Sequence, residues 1–187
     1  SDAALTTALS GDTGTFITKP TKTGYTFAGY FTQQDGKGTQ YVSANGEFIN
    51  SIYWNVANNI TLYAHWTANT NTAYKVEHYQ MNVDGNGYTL KETQKLTGTT
   101  GATVTGTYKT YTGFEKNESH TSTIKSGVIK ADGSLVLKLY YTRNQYTITL
   151  KAGTGIDSVT GAGKYYYQQS FTISATVKSG YKFNNWT

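Results

Sequence analysis

Few side chains in this chain have types that do chemistry, and their spacing limits what each can do. His65, His78 and His120 stand far apart, outside any His/Cys cluster with the spacing a metal ion needs. His65 alternates with Tyr63, which reads as a packed or surface residue of a strand. Ser119-His120 beside Glu118 holds the residue types of a catalytic triad, but no strand-to-helix nucleophile turn surrounds them. Asp84-Gly85-Asn86-Gly87 looks like half a calcium loop without the later carboxylates, and reads as a hairpin turn. Gly153-Thr154-Gly155 and Gly161-Ala162-Gly163 lack the Gly-Lys-Ser/Thr ending of a phosphate loop, so they read as turn glycines. No catalytic residue, no metal ligand and no cofactor-binding residue is expected.

Tyr165, Tyr166 and Tyr167 are the candidate ligand-binding residues. Successive strand residues face opposite ways, so at least one ring must leave the core or lie where two modules meet. Exposed tyrosines stack on sugar faces and anchor interfaces; a tyrosine filling a seam between modules is the other reading, and both stand.

Such side chains need elements to hold them, and composition points to strands. Of the 187 residues 37% are apolar, against roughly 45–50% on a count that includes glycine. Tyrosine carries much of the difference: there are 17 Tyr, 34 Thr and 20 Gly but one Pro. Thr and Tyr favour strands and Gly marks turns, which gives a β-dominated chain with thin cores. The absence of cysteine excludes disulfides, thiolate metal sites and cysteine nucleophiles. The net charge of +5 comes from lysines scattered singly, with Arg143 the sole arginine. That is no phosphate-binding patch, so nucleic acid is not an expected partner; weak attraction to anionic surfaces is. No apolar run approaches the roughly 20 residues of a membrane span, and no signal segment opens the chain. A chain opening Ser1-Asp2-Ala3 and closing Trp186-Thr187 is expected to be a piece of a larger protein, with its secretion and anchoring signals outside it.

One phrase is written twice. Thr23-Gly24-Tyr25-Thr26-Phe27-Ala28-Gly29-Tyr30 returns as Ser179-Gly180-Tyr181-Lys182-Phe183-Asn184-Asn185-Trp186. Recurrence of that kind marks small repeated modules, which bind or extend more often than they catalyse. Three units follow, at 1–67, 73–144 and 145–187. In the first, strands are expected over Thr23–Thr32 and Ile60–Trp66, with a turn at Asp35–Gly38 between them. Val42, Phe48, Ile52 and Val56 suit a short imperfect helix, or Asn45-Gly46 opens a loop instead. Ala68–Thr72 reads as a polar linker with no core former.

In the second unit, Tyr74–Tyr79, Tyr88–Leu96, Tyr111–Lys116 and Ser134–Thr142 read as strands, while Gly101–Thr110 fits a short helix or a loop. The third starts at Gln145 with almost no linker. Tyr146–Leu150, Lys164–Tyr167, Ser170–Val177 and Tyr181–Trp186 make a meander around a glycine-rich turn at Gly153–Gly163. The expected core is Tyr25, Phe27, Leu62 and Trp66, then Leu137 and Leu139, then Tyr181, Phe183 and Trp186.

These segments resemble repeats of bacterial surface proteins. Pro20, the run Thr23–Phe31, Gly38-Thr39 and the closing Leu62-Tyr63-Ala64-His65-Trp66-Thr67 resemble the internalin-type B repeat (the Listeria–Bacteroides repeat). Tyr30 departs from it, standing where tryptophan is usual, and the family's opening strand is not recognisable in Ser1–Thr18. Tyr74–Tyr79, Gly113-Phe114 and Leu137–Asn144 are similar to the mucin-binding-protein (MucBP-like) repeats. Tyr146–Leu150, Tyr165–Tyr167 and Gly180–Trp186 are similar to a divergent B repeat. The resemblance implies a β-rich α+β architecture of tandem small β-grasp-like modules in an elongated arrangement. It also implies a monomeric, non-enzymatic piece of an extracellular adhesin attached to the cell surface. The implied partners are neighbouring modules and a host glycan, mucin or protein; a passive stalk projecting another binding domain is the alternative.

Overall fold

The computed structural model describes residues 17–49 and 59–187. Ile52, Val56 and most of the segment Ser1–Thr18 lie outside the described residues. The rest is β-rich, and its one helical piece among the described residues is a 3-10 turn at Gln34–Gly36. Thirteen strands are described in chain order: β1 Tyr25–Phe31, β2 Gln40–Val42, β3 Tyr63–Ala68, β4 Thr72–Met81, β5 Tyr88–Gly98, β6 Thr103–Thr105, β7 Phe114–Lys116, β8 Ser126–Val128, β9 Val136–Arg143, β10 Gln145–Ile148, β11 Ile156–Thr160, β12 Gly163–Tyr166 and β13 Ser174–Val177. Two compact units emerge. One holds the described residues up to 74 with 95–104 and 127–135; the other holds 75–94, 105–126 and 136–187.

In the first unit β1 lies between β2 and β3, antiparallel to both. Phe27 sits opposite Trp66 on β3, and the register then slips between Phe27 and Gly29. That bulge breaks the period of two, so Tyr30 joins Phe27, Val42, Leu62 and Ala64 in the core while Tyr25 is only half-buried. Edge-to-face contacts of Phe27 with Tyr30 (5.2 Å) and Trp66 (5.7 Å) make the centre of this core aromatic. Gly29 has φ +124°, and a Cβ there would lie 2.3 Å from the Val42 carbonyl oxygen, so only glycine lets β2 approach.

The helix suggested for Val42 onward is absent as far as the described residues reach. Ser43–Gly46 turns the chain so that Phe48 bridges back to Val42. The Asn45-Gly46 alternative is the one observed, because Gly46 takes φ +87° without strain.

The polar linker at Ala68–Thr72 is better described as a pinned turn. Asn69 donates its backbone N–H to the Gly24 carbonyl and accepts one from Thr100. The Thr100 hydroxyl donates to the same Gly24 carbonyl at 2.8 Å, so the buried Thr72 hydroxyl must be the donor to Thr100, at 2.6 Å. Thr72 is therefore buried by polar satisfaction, a role that hydrophobic pattern does not report.

The four-stranded sheet runs β5-β4-β9-β7, with β4 and β9 parallel from Lys75 opposite Val136 to Gln80 opposite Tyr141. Alternation along β4 and β9 sends Val76, His78, Leu137, Leu139 and Tyr141 into the second unit's core. The opposite face is covered as well: Tyr140 stacks on Tyr79 (5.0 Å) and on His120 (3.9 Å) and is buried. Gly101–Thr110, read as helix or loop, contains β6, paired with β8. Two further two-stranded sheets, β10-β12 and β11-β13, are antiparallel. β11 emerges from the stretch read as turn, since Gly155 at φ +81° and Gly161 at φ +96° bracket five extended residues.

The expected core of the last segment is overturned. Tyr181, Phe183 and Trp186 are 53%, 45% and 39% exposed, and no strand is assigned beyond Val177. Among the described residues no strand pairs with 181–186, so the alternation has nothing to bury its apolar side against.

Candidate functional site

The tyrosine run ends β12, where β10 follows directly from β9 through Asn144. Gln145 lies opposite Tyr166 and Tyr146 opposite Tyr165, so alternation sends Tyr165 to one face of β12 and Tyr166 to the other, with Tyr167 just past the strand. All three rings are half-buried. Tyr165 stacks on Phe171 at 4.5 Å and donates its hydroxyl to the Gly161 carbonyl. Tyr166 lies on Gly85, where a Cβ would meet its ring carbon at 2.6 Å. Tyr167 covers Gly113 and meets Phe114 edge-on at 6.3 Å.

Arg143 fastens this place, and nothing in its sequence context singled it out beyond its being the sole arginine. Its Nε donates to the Met81 carbonyl at 3.0 Å and its Nη1 to the Tyr167 carbonyl at 2.8 Å. The guanidinium also lies 4.6 Å from the centroid of Phe114. The Gly113 carbonyl takes the Asn144 N–H, and the Asn144 carbonyl takes that of Tyr167. The stretch Arg143–Gln145, read as almost no linker, is thus tied by hydrogen bonds to Met81, Gly113 and Tyr167. Beside it opens a groove of about 500 Å³, with Tyr146, Tyr166, Glu115, Thr142 and Asn144 in its lining. Tyr146 is 51% exposed. An aromatic face next to carboxylate, amide and hydroxyl groups can stack on one side of a ring and hydrogen-bond its edge.

The other candidates are occupied structurally. His120 accepts the Ser122 N–H at Nδ1, Ser119 donates to Asn117, and Glu118 pairs with Lys125 (3.1 Å) and Lys116 (3.4 Å), so no triad is assembled. His65 meets Phe31 edge-on at 5.7 Å. The Asp84 carboxylate accepts the Asn86 N–H, closing a hairpin turn between β4 and β5. Among the described residues no group of three or more His, Asp or Glu side chains could hold a metal ion.

His78 is fully buried. Gln94 Oε1 only accepts, so His78 Nε2 carries the hydrogen of that 2.8 Å bond. Tyr141 accepts the Lys109 N–H and donates its own hydroxyl to His78 Nδ1 at 2.7 Å. Period-two alternation with Val76 put His78 inward; its partners come from distant strands that the pattern cannot identify.

Glu92 sits at the edge of this network. Its carboxylate accepts from Lys109 Nζ at 2.6 Å and from the Tyr111 hydroxyl, and these bonds, Lys109 first, hold its pKa below the ordinary carboxylate value. A lowered folded pKa contributes stability above the unfolded value, lost as pH falls through the folded one. Wild-type stability is therefore expected to decline on acidification below about pH 4–5 more steeply than that of Glu92→Gln. Both partners are about a third exposed (35% and 37%), which limits the difference to under about 1 kcal/mol. Urea titrations across that pH range check it, and parallel acid limbs contradict it.

Comparison with known proteins adds one match. Residues 1–65 match the Listeria–Bacteroides repeat domain, a repeat of bacterial surface proteins. No curated protein sequence and no solved structure matches the chain.

Proposed function

We propose that this chain is a non-enzymatic module array of a bacterial cell-surface adhesin, acting outside the cell. Its tyrosine-bearing joint engages a host glycan, mucin or protein. The observation that carries this reading is the half-exposed Tyr146, which lines an open groove together with Tyr166, Asn144 and Glu115. The match of residues 1–65 to a surface-protein repeat supports the setting, and no helix among the described residues is long and apolar enough to cross a membrane. In this reading β-grasp-like modules at 1–67, 73–144 and 145–187 are set end to end, and the MucBP-like and divergent B-repeat resemblances account for the latter two. Tyr166 faces the ligand while Tyr165 and Tyr167 hold the joint around it.

A passive stalk is the second reading, favoured by the parallel pairing of β4 with β9, which suits a chain under tension. A glycan array and a host-protein pull-down on the chain separate the two. Selective binding that falls at least tenfold in Tyr146→Ala and Tyr166→Ala supports the adhesin. Silence of the wild type across both assays supports the stalk, and binding untouched by either substitution removes the groove from the argument.

A further inference from the structure

The two copies of the repeated phrase fold alike at their start and diverge after it. In the first, the Tyr25 N–H bonds the Lys22 carbonyl at 3.0 Å across a turn in which Gly24 has φ +76°. In the second, the Tyr181 N–H bonds the Lys178 carbonyl at 3.1 Å, and Gly180 has φ +82°. The turn is the same. Beyond it, the first copy runs as β1 against β3, which lays Trp66 opposite Phe27 and leaves that ring 7% exposed. The matching Phe183 is 45% exposed, and its ring meets that of Trp186 edge-on at 5.5 Å.

We infer that Tyr181–Trp186 is a strand acceptor. Its occupant is an antiparallel strand patterned like Leu62-Tyr63-Ala64-His65-Trp66-Thr67, supplied by another repeat of the same kind. The inference stands apart from the glycan reading above. Three observations specify the partner. The launching turn is already formed, so strand addition extends a preset direction. The apolar positions of the phrase, Tyr181, Phe183 and Trp186, correspond to Tyr25, Phe27 and Tyr30, whose cover comes from Ala64 and Trp66 in β3 and from Leu62 just ahead of it. Asn185 stands where Gly29 stands in the first copy, and at Gly29 a Cβ would collide with the β2 carbonyl. A β2-like strand is thereby kept away, and one partner, on the β3 side, is accepted. Backbone pairing would supply affinity, and the alternate Leu, Ala and Trp side chains specificity.

The test uses the 187-residue chain and a synthetic peptide with the sequence of residues 60–68. Amide exchange at Tyr181–Asn185 is expected to slow at least tenfold at saturating peptide. A peptide carrying Leu62→Ser and Trp66→Ser should leave exchange unchanged, and so should the normal peptide with the Phe183→Ser chain, whose substituted ring is exposed and not needed for folding. Joining the peptide to the chain by a flexible linker raises its effective concentration and covers the case of weak binding. No protection in either form overturns the inference. So does equal protection by the substituted peptide, or a response confined to Tyr25–Phe31, which would mean exchange with β3 instead.

Discussion

Phe27→Ala is expected to destabilise the sheet of β1, β2 and β3 by about 3–5 kcal/mol, while Phe183→Ala costs less than about 1 kcal/mol. The two residues occupy the same place in the same phrase, and sequence alone assigns them the same cost. Burial separates them. Phe27 fills the centre of an aromatic core with Tyr30 and Trp66, so truncation leaves a cavity where the surrounding rings cannot collapse. Phe183 has nearly half its surface in water already, so little transfer free energy is lost with it. Domains of this size are stable by only about 5–15 kcal/mol, so the loss at Phe27 removes a large fraction of what keeps the sheet closed. Amide exchange along β1 and β3, with urea unfolding of both variants, measures the contrast. Comparable losses at the two positions would refute the burial assignment.

Leu137→Pro is expected to cost more than about 3 kcal/mol and to remove the strongest mechanical event when the chain is pulled from its ends. β9 is interior, paired with β4 on one edge and β7 on the other. The Lys138 N–H bonds the Ile124 carbonyl at 2.9 Å, so the neighbouring Leu137 N–H, pointing the opposite way, faces β4. Proline there deletes a ladder donor near the start of the parallel register, at a side chain with no exposure. Pulling the start of β4 away from the end of β9 loads that register in shear. Each bond is worth only about 0.5–1.5 kcal/mol net, so resistance depends on their breaking together. Single-molecule traces should show a high-force event in the wild type and none in the variant. A wild type that yields smoothly at low force counts against the stalk reading.

Much of the local structure was legible in the residues. The hairpin at Asp84–Gly87, the strands near Tyr74–Tyr79 and Ser134–Thr142, and the inward set Leu135, Leu137, Leu139 and Tyr141 follow from turn chemistry and alternation. β8 and β11 escaped notice because short exposed strands carry no apolar face to announce them. At the candidate site the tyrosine run stood out, but Arg143 and Tyr146 did not. What distinguishes them is a pair of distant carbonyls and the groove beside them.

The repeated phrase marks where sequence stops and tertiary structure begins. By itself the sequence determined both turns, because a glycine at positive φ and one i to i+3 hydrogen bond are decided within four residues. Only the tertiary structure decided that Phe27 is core and Phe183 is surface, that a bulge carries Tyr30 inward, and that Arg143 ties the Met81 carbonyl to that of Tyr167. Strand pairing and burial need a partner far away in the chain, and a local pattern states only what would be buried if that partner came.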